Sequence, residues 1–510
     1  MKTRYKLLVL LNLVALTSCQ SPTSSEALVS SEPSKSESEA SSSSSSISES
    51  ISSEDIGYYK SELKYTTQAI SSHYAPTLGD QDLLVVPISL SGKTAYSWSS
   101  YNLDLVRTCY FGPKIETPSS WNSLATYYNT ASLGKMNLQG EVIDPYESTY
   151  TREDLYTDDK QTNKNNTLEI IKGAVEYAAS KVNLDDYDRN DDGFIDSIHF
   201  IFDDSDGNEW GSALWPQMGN TLFSPGTISA PSVFTYSLTN VGVFTSARLA
   251  VHEQGHIFGL QDYYDYNPDA NGADPVGKAD MQSQSCFDWN SFSKMSVGWI
   301  DPYYVDGSKD SVEITINTTA TSGDAIVIAN NWNHTAFDEY ILLELFAPAG
   351  NNKNDWTSWN NNPSKFTSLG SRGGVRLYHV DARIWGYDDG NFAGGEIVDD
   401  ITTSSHPYHQ IAVNNSTNDT YAYQKPEGME NYNLLHLIQK GGTNTFVKAD
   451  GRHTLAYNDM FRTGDSFSLE KYGEEFFPNK TKFNNGDDFP YVIDFLEVSN
   501  ESAKIRITKI

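Results

Sequence analysis

The chain has 510 residues, 38% of them hydrophobic, with 31 Tyr and 10 Trp, enough to bury at least one full core. Lys and Arg total 36 against 67 Asp and Glu, a formal net charge of −31. Such a surface repels phosphate backbones, which excludes nucleic acid as a partner, and it suits divalent cations, for which carboxylates are hard ligands.

Met1–Ser18 carries Lys2, Arg4 and Lys6 ahead of an apolar run of ten residues, Leu7 to Leu16, interrupted only by Asn12. The run is too short to span a hydrocarbon layer of ~30 Å and reads as a secretory signal peptide. Leu16-Thr17-Ser18-Cys19 resembles the bacterial lipobox, which predicts lipidation at Cys19 and anchoring to the bacterial membrane, since two or more acyl chains hold a protein stably. From Ser21 to Ser53 there are 18 serines in 33 residues. That composition cannot offset chain entropy by apolar burial, so 19–56 is expected to be a solvated tether reaching about 30–36 Å. The predicted location is the bacterial cell surface, outside the cytoplasm. With Cys19 lipidated, Cys109 and Cys286 either pair or stay as buried thiols.

Leu83–Leu90 (LLVVPISL) reads as a buried strand and Thr167–Val182 as an amphipathic helix. Between that helix and a second strand, Ile195–Phe202, lies DRNDDGFID. It sets Asp188, Asn190, Asp192 and Asp196 at loop positions 1, 3, 5 and 9, with Gly193 at the sharp turn and the Phe194 carbonyl at position 7. These residues predict a Ca²⁺ loop. Position 12 is His199 in place of a bidentate Glu, so the EF-hand pattern is incomplete. Asp265, Asn267, Asp269 and Asn271 alternate in a similar way.

Phe244–Gln261 (FTSARLAVHEQGHIFGLQ) reads as a helix, capped by Thr245 or Ser246. His252 and His256 stand one turn apart on one face, where one Zn²⁺ can take both imidazoles, and Glu253 beside them can act as general base. Gly259 can end the helix in the left-handed region and turn Asp262 back as third ligand, completing HExxHxxGxxD. The rival arrangement needs a Glu on a later helix, and the first after Glu253 is Glu313, in a predicted β region. Three protein ligands leave a position for water, whose pKa the metal lowers towards ~7. Tyr236, Tyr263 and Tyr264 are candidate oxyanion donors. Past residue 310 the pattern changes to short β-type runs between Asn/Asp/Gly-rich turns.

On these residues the chain resembles the immune inhibitor A-like metallopeptidases, secreted bacterial zinc proteases related to the metzincins. The likeness extends to Ser123–Tyr146, to DRNDDGFI at 188–195, and to Asp280-Met281-Gln282-Ser283, which is similar to that family's Met-turn with Met281 beneath the metal. It runs on through Trp289–Ile300, Glu339–Glu344 and Gly374–Asp381; His379 in the last of these is read as structural. The resemblance implies an α+β zincin-type catalytic domain over 57–310, a mixed sheet plus an active-site helix. A β-rich, sandwich-like region follows over 311–510. It also implies a zinc metalloendopeptidase acting on extracellular proteins or peptides. A second class is a lipoprotein adhesin or carbohydrate-binding protein on a protease-like fold, for which Trp356, Trp359 and Trp385 would form an exposed aromatic face.

Overall fold

The computed structural model describes residues 56–510 except 93, 95, 115, 116, 118, 119, 206–211, 226–229, 268, 269, 271, 389, 390, 418–424 and 449. The signal segment, Cys19 and the tether up to residue 55 therefore lie outside the described residues. No helix among the described residues is long and apolar enough to cross a membrane.

After a short strand β1 (Tyr58–Lys60), the chain lays down β2 (Gly79–Ser91), β3 (Met136–Val142), β4 (Tyr146–Thr151), β5 (Ile198–Phe202), β6 (Gln217–Phe223) and β7 (Val233–Asn240). They form a mixed sheet in the order β3-β2-β5-β7-β6, with β4 also pairing β2. Only β6 runs antiparallel to its neighbour, and it closes one edge. Pro87 sits inside β2 without breaking it. Pairing with β3 ends at Val85 and pairing with β4 begins at Ile88, so the missing N–H falls where the partner changes.

The predicted helix at 167–182 forms over Lys160–Ala179 and buries Ile170, Ile171, Ala174, Val175 and Ala178. These pack with Leu84, Val86, Ile88 and Leu90 on one face of β2. Leu83 and Val85, on the opposite face by the period-2 alternation of a strand, join a larger core that holds the helix carrying the two histidines.

The second half is β-rich. Its strands are β8 (Tyr303–Val305), β9 (Ser311–Asn317), β10 (Ala325–Ile328), β11 (Glu339–Phe346), β12 (Gly374–Asp381), β13 (Ile384–Asp388), β14 (Asn391–Val398), β15 (Tyr408–Ile411), β16 (Leu435–Leu437), β17 (Ser466–Ser468), β18 (Tyr491–Val498) and β19 (Ser502–Lys509). A six-stranded sheet runs β1-β8-β10-β11-β12-β16, and β17-β18-β19-β9 form a four-stranded one; β14-β13-β15 make a small third sheet. The six-stranded sheet takes strands from both sides of residue 310. In β11, Tyr340, Leu342 and Phe346 face the core shared with the first half. Ile341, Leu343 and Leu345 face a second core, shared with Ile493, Phe495, Ile505 and Ile507 of the four-stranded sheet. Strand β9, by contrast, alternates buried and exposed residues because its outer face meets water.

Candidate metal centre

The histidine helix spans Arg248–Ile257 and lies against β7 and β6. It starts later than expected, and neither Thr245 nor Ser246 is its N-cap residue. The Asn240 side chain accepts the Gly242 amide, fixing a separate 3₁₀ turn over Val241–Phe244 from which the chain must re-enter at Ala247. The end is as the sequence predicts. Gly259 has φ +90°, its N–H donates to the His256 carbonyl, and the Leu260 N–H reaches back to the Gly255 carbonyl. That is a Schellman termination, which satisfies the last carbonyls and reverses the chain.

The reversal also builds the site. The Leu260 carbonyl lies 2.7 Å from His256 Nδ1, and the Met281 carbonyl lies 2.7 Å from His252 Nδ1. A carbonyl only accepts, so both Nδ1 atoms carry the proton and both Nε2 atoms present lone pairs. The two Nε2 atoms stand 3.2 Å apart, and Asp262 Oδ1 lies 2.8 Å from one and 3.4 Å from the other. Among the described residues this is the one group of three His, Cys, Asp or Glu ligand atoms within 4.8 Å of one another. Asp262 Oδ1 is buried, with no partner other than the two imidazole nitrogens beside it. Three acceptors converging in a buried site repel one another unless a proton or a metal cation stands between them. Donors of a tetrahedral site with bonds of ~2.0–2.1 Å stand roughly 3.3 Å apart, so the triangle has the size for zinc.

The electrostatics agree. Burial alone lowers both imidazoles, but the adjacent Asp262 carboxylate outweighs it, raising His252 and taking His256 to about 9. Burial opposes the Asp262 anion too, yet His256 and His252 hold its carboxyl far below the usual carboxylate range. The pocket thus stabilises added positive charge. Glu253, buried beside the pair, is raised by burial, and the Met218 amide of β6 donates to it.

Several supporting residues escaped sequence reasoning. Gln254 faces the sheet: its Oε1 lies 2.8 Å from His199 Nε2 and its Nε2 donates to Ser197 Oγ at 2.9 Å, with Tyr110 Oη 3.1 Å from His199 Nδ1. Burial lowers His199 to about 3, so it stays neutral and locks the helix to β5. Gly255 makes room for Gln282, whose amide donates to the His252 carbonyl and accepts from Trp289 Nε1. A glycine inside a helix is a legible signal of close approach; nothing in the sequence names Gln282 as its cause. Tyr266 donates its phenol to Asp262 Oδ2. Asp280 caps the turn Met281–Gln284, and Met281 is fully buried in the main core with its carbonyl on His252.

The other expectations divide. Of the three tyrosines, Tyr263 Oη is committed to Ser293 Oγ at 2.6 Å, and Tyr236 lies against Gly219 and Thr221 on the other core. Tyr264 faces the site: burial and the charges of Asp262 and Glu253 raise it, and its hydroxyl bonds to Asp262. In the 188–196 loop, Asp188 accepts the Asp192 and Gly193 amides, Asn190 the Asp192 amide, Asp192 the Phe194 amide and Asp196 the Arg189 amide. Burial, with Asp188 and Asp192 nearby, raises Asp196 to about 7. Asp265 and Asn267 both bond Thr417, while Asp269 and Asn271 lie outside the described residues. Cys109 and Cys286 are free thiols. His379 is structural, 2.8 Å from Glu339 between Phe477 and Phe483. The exposed tryptophan face does not form: Trp356 is 4% and Trp359 2% exposed, because their helix at 352–360 packs its aromatic side onto Phe287 and Phe346. No protein-family model matches the chain, and comparison with curated proteins returns no match.

Proposed function

We propose that the chain is a zinc-dependent endopeptidase with a zincin-type catalytic unit, exported by its signal segment and held at the bacterial surface by lipid on Cys19. Its substrates are peptide bonds of extracellular proteins. One observation carries the reading: the Nε2 atoms of His252 and His256 converge on Asp262 Oδ1 while both Nδ1 atoms are engaged by carbonyls. The resemblance of HEQGHIFGLQD and its Met-turn to the immune inhibitor A-like metallopeptidases supports the same reading.

Zinc held by His252, His256 and Asp262 would supply an acidified water and a Lewis acid for the scissile carbonyl. Glu253 would take the proton of the attacking water and hand it to the leaving amine. Its raised pKa suits it to hold a proton between the two steps. The Tyr264 hydroxyl, which burial and the nearby carboxylates keep from ionising, would have to exchange Asp262 for a developing oxyanion to act as its donor. Strand β6 is last in its sheet and touches the site through Met218, so its outer edge can align an extended peptide by backbone pairing. We further propose Ca²⁺ at Asp188, Asn190, Asp192, Phe194 and Asp196, where it would offset the burial of the Asp196 carboxylate and the neighbouring charges of Asp188 and Asp192.

The test is zinc content and casein cleavage of the purified full chain beside Glu253→Ala. Cleavage that requires zinc and disappears in the variant, with zinc retained, is the expected result. A folded chain that takes up no zinc would overturn the reading.

A further inference from the structure

Asp262 has two oxygens, and they meet different surroundings. Oδ1 faces both imidazoles, whereas Oδ2 receives the phenol of Tyr266. A carboxylate with both oxygens free turns easily about its last torsion and can close on a cation with two oxygens or one. The phenol removes that freedom only if the tyrosine is itself fixed, and its fixing comes from far along the chain. The Tyr266 N–H donates to Ser416 Oγ at 2.9 Å, and Asn415 Nδ2 donates to the Tyr263 carbonyl at 2.8 Å. Asn415 in turn is bonded twice to Leu435, donating to its carbonyl at 2.9 Å and accepting its amide at 3.0 Å. Leu435 opens β16, which is paired to β12 in the six-stranded sheet. A continuous run of hydrogen bonds therefore joins that sheet to the free side of the third ligand.

We propose that Tyr266, held by Ser416, whose neighbour Asn415 ties Tyr263 to Leu435, is a positioning residue that makes Asp262 a one-oxygen ligand, so that the second half of the chain completes the metal centre. This rests on the metal reading above. The phenol also draws charge from the carboxylate, leaving Oδ1 a weaker donor but a better-aimed one, and the preorganisation is where the affinity gain lies. Without the Tyr266 phenol, Oδ2 keeps only the Tyr264 hydroxyl and is held less firmly against turning onto the metal, into the position that the reaction needs for water.

The test compares the full chain with Tyr266→Phe and Ser416→Ala. Zinc affinity is read by competition with a chromophoric chelator, and coordination by the visible absorption of the cobalt(II)-substituted protein. Tyr266→Phe should weaken zinc binding by about 10–100-fold. It should also change the cobalt bands, while the melting temperature of the metal-free protein stays close to wild type. Ser416→Ala should move both readouts the same way by a smaller factor. A lowered melting temperature with wild-type zinc affinity and cobalt spectrum would make Tyr266 merely structural and overturn the inference alone. A wild-type chain that takes up no zinc would overturn the metal reading and this inference with it.

Discussion

Gly255→Ala sets two effects of opposite sign against each other. Helix propensity favours alanine over glycine by about 1 kcal/mol. A Cβ at this position, however, would lie 2.7 Å from Gln282 Cδ and 2.9 Å from its Nε2. That amide is fully buried, with bonds to the His252 carbonyl at 3.2 Å and from Trp289 Nε1 at 3.1 Å. Moving it costs about 1–3 kcal/mol of overpacking, and each buried partner left unpaired costs roughly 1–3 kcal/mol more. Partial relaxation of the glutamine trims the sum, and the expected net loss is about 2–4 kcal/mol after the propensity gain. Urea unfolding of the metal-free chain reads this directly, as a lower midpoint at unchanged slope. Zinc affinity should fall as well, because Gln282 adjoins the Met281 carbonyl that orients His252. A variant as stable as wild type, or more so, would show that propensity governs this glycine and that Gln282 is not wedged against the helix.

Two further outcomes follow from the charges. Burial raises Asp203, Asp274 and Asp338 to about 6 and Asp196 and Asp280 to about 7. A raised carboxyl contributes stability in full below its unfolded pKa of ~3.9 and loses it as pH climbs through the folded value. Stability of the chelator-treated chain should therefore fall from pH 5 to pH 7.5, while zinc uptake rises as the imidazoles lose competing protons. An unfolding midpoint that climbs across that range would contradict the burial of these carboxylates. Calcium should raise the melting temperature of wild type but not of Asp188→Ala. Equal melting temperatures of wild type with and without calcium would rule the loop out as a site.

What could be read from the sequence was whatever local chemistry fixes. The i, i+4 histidines, the left-handed Gly259 and the returning Asp262 all lie on one short stretch, from His252 to Asp262, and the structure brings them together as spaced. The apolar run of β2 was legible too, because a strand covered on both faces needs no alternation. The start of the histidine helix was not, since the Asn240 side chain imposes its own turn ahead of it. Nor could periodicity separate Trp356 and Trp359 from an exposed face, because aromatic side chains serve a core and a surface equally well. Tyr266, Gln282 and Asn415 act across 4, 30 and 152 residues of sequence respectively, towards Asp262, His252 and Tyr263. Only folding brings the last two of these pairs together.

Strands β11 and β12 are buried along their whole length. They act as a wall between two rooms, one holding the histidine helix and the other closed by the four-stranded sheet. A cut near residue 310 would take that wall away from both. It would unroof the helix, leave the β1–β8 pair without the rest of its sheet, and remove the hydrogen-bonded path to Asp262. The stretch bearing HExxH is therefore not a cassette that recombination could carry into another protein. Variation is free at the outward faces of β9 and β19 and in the connecting loops, while the two halves must be inherited, folded and lost as one.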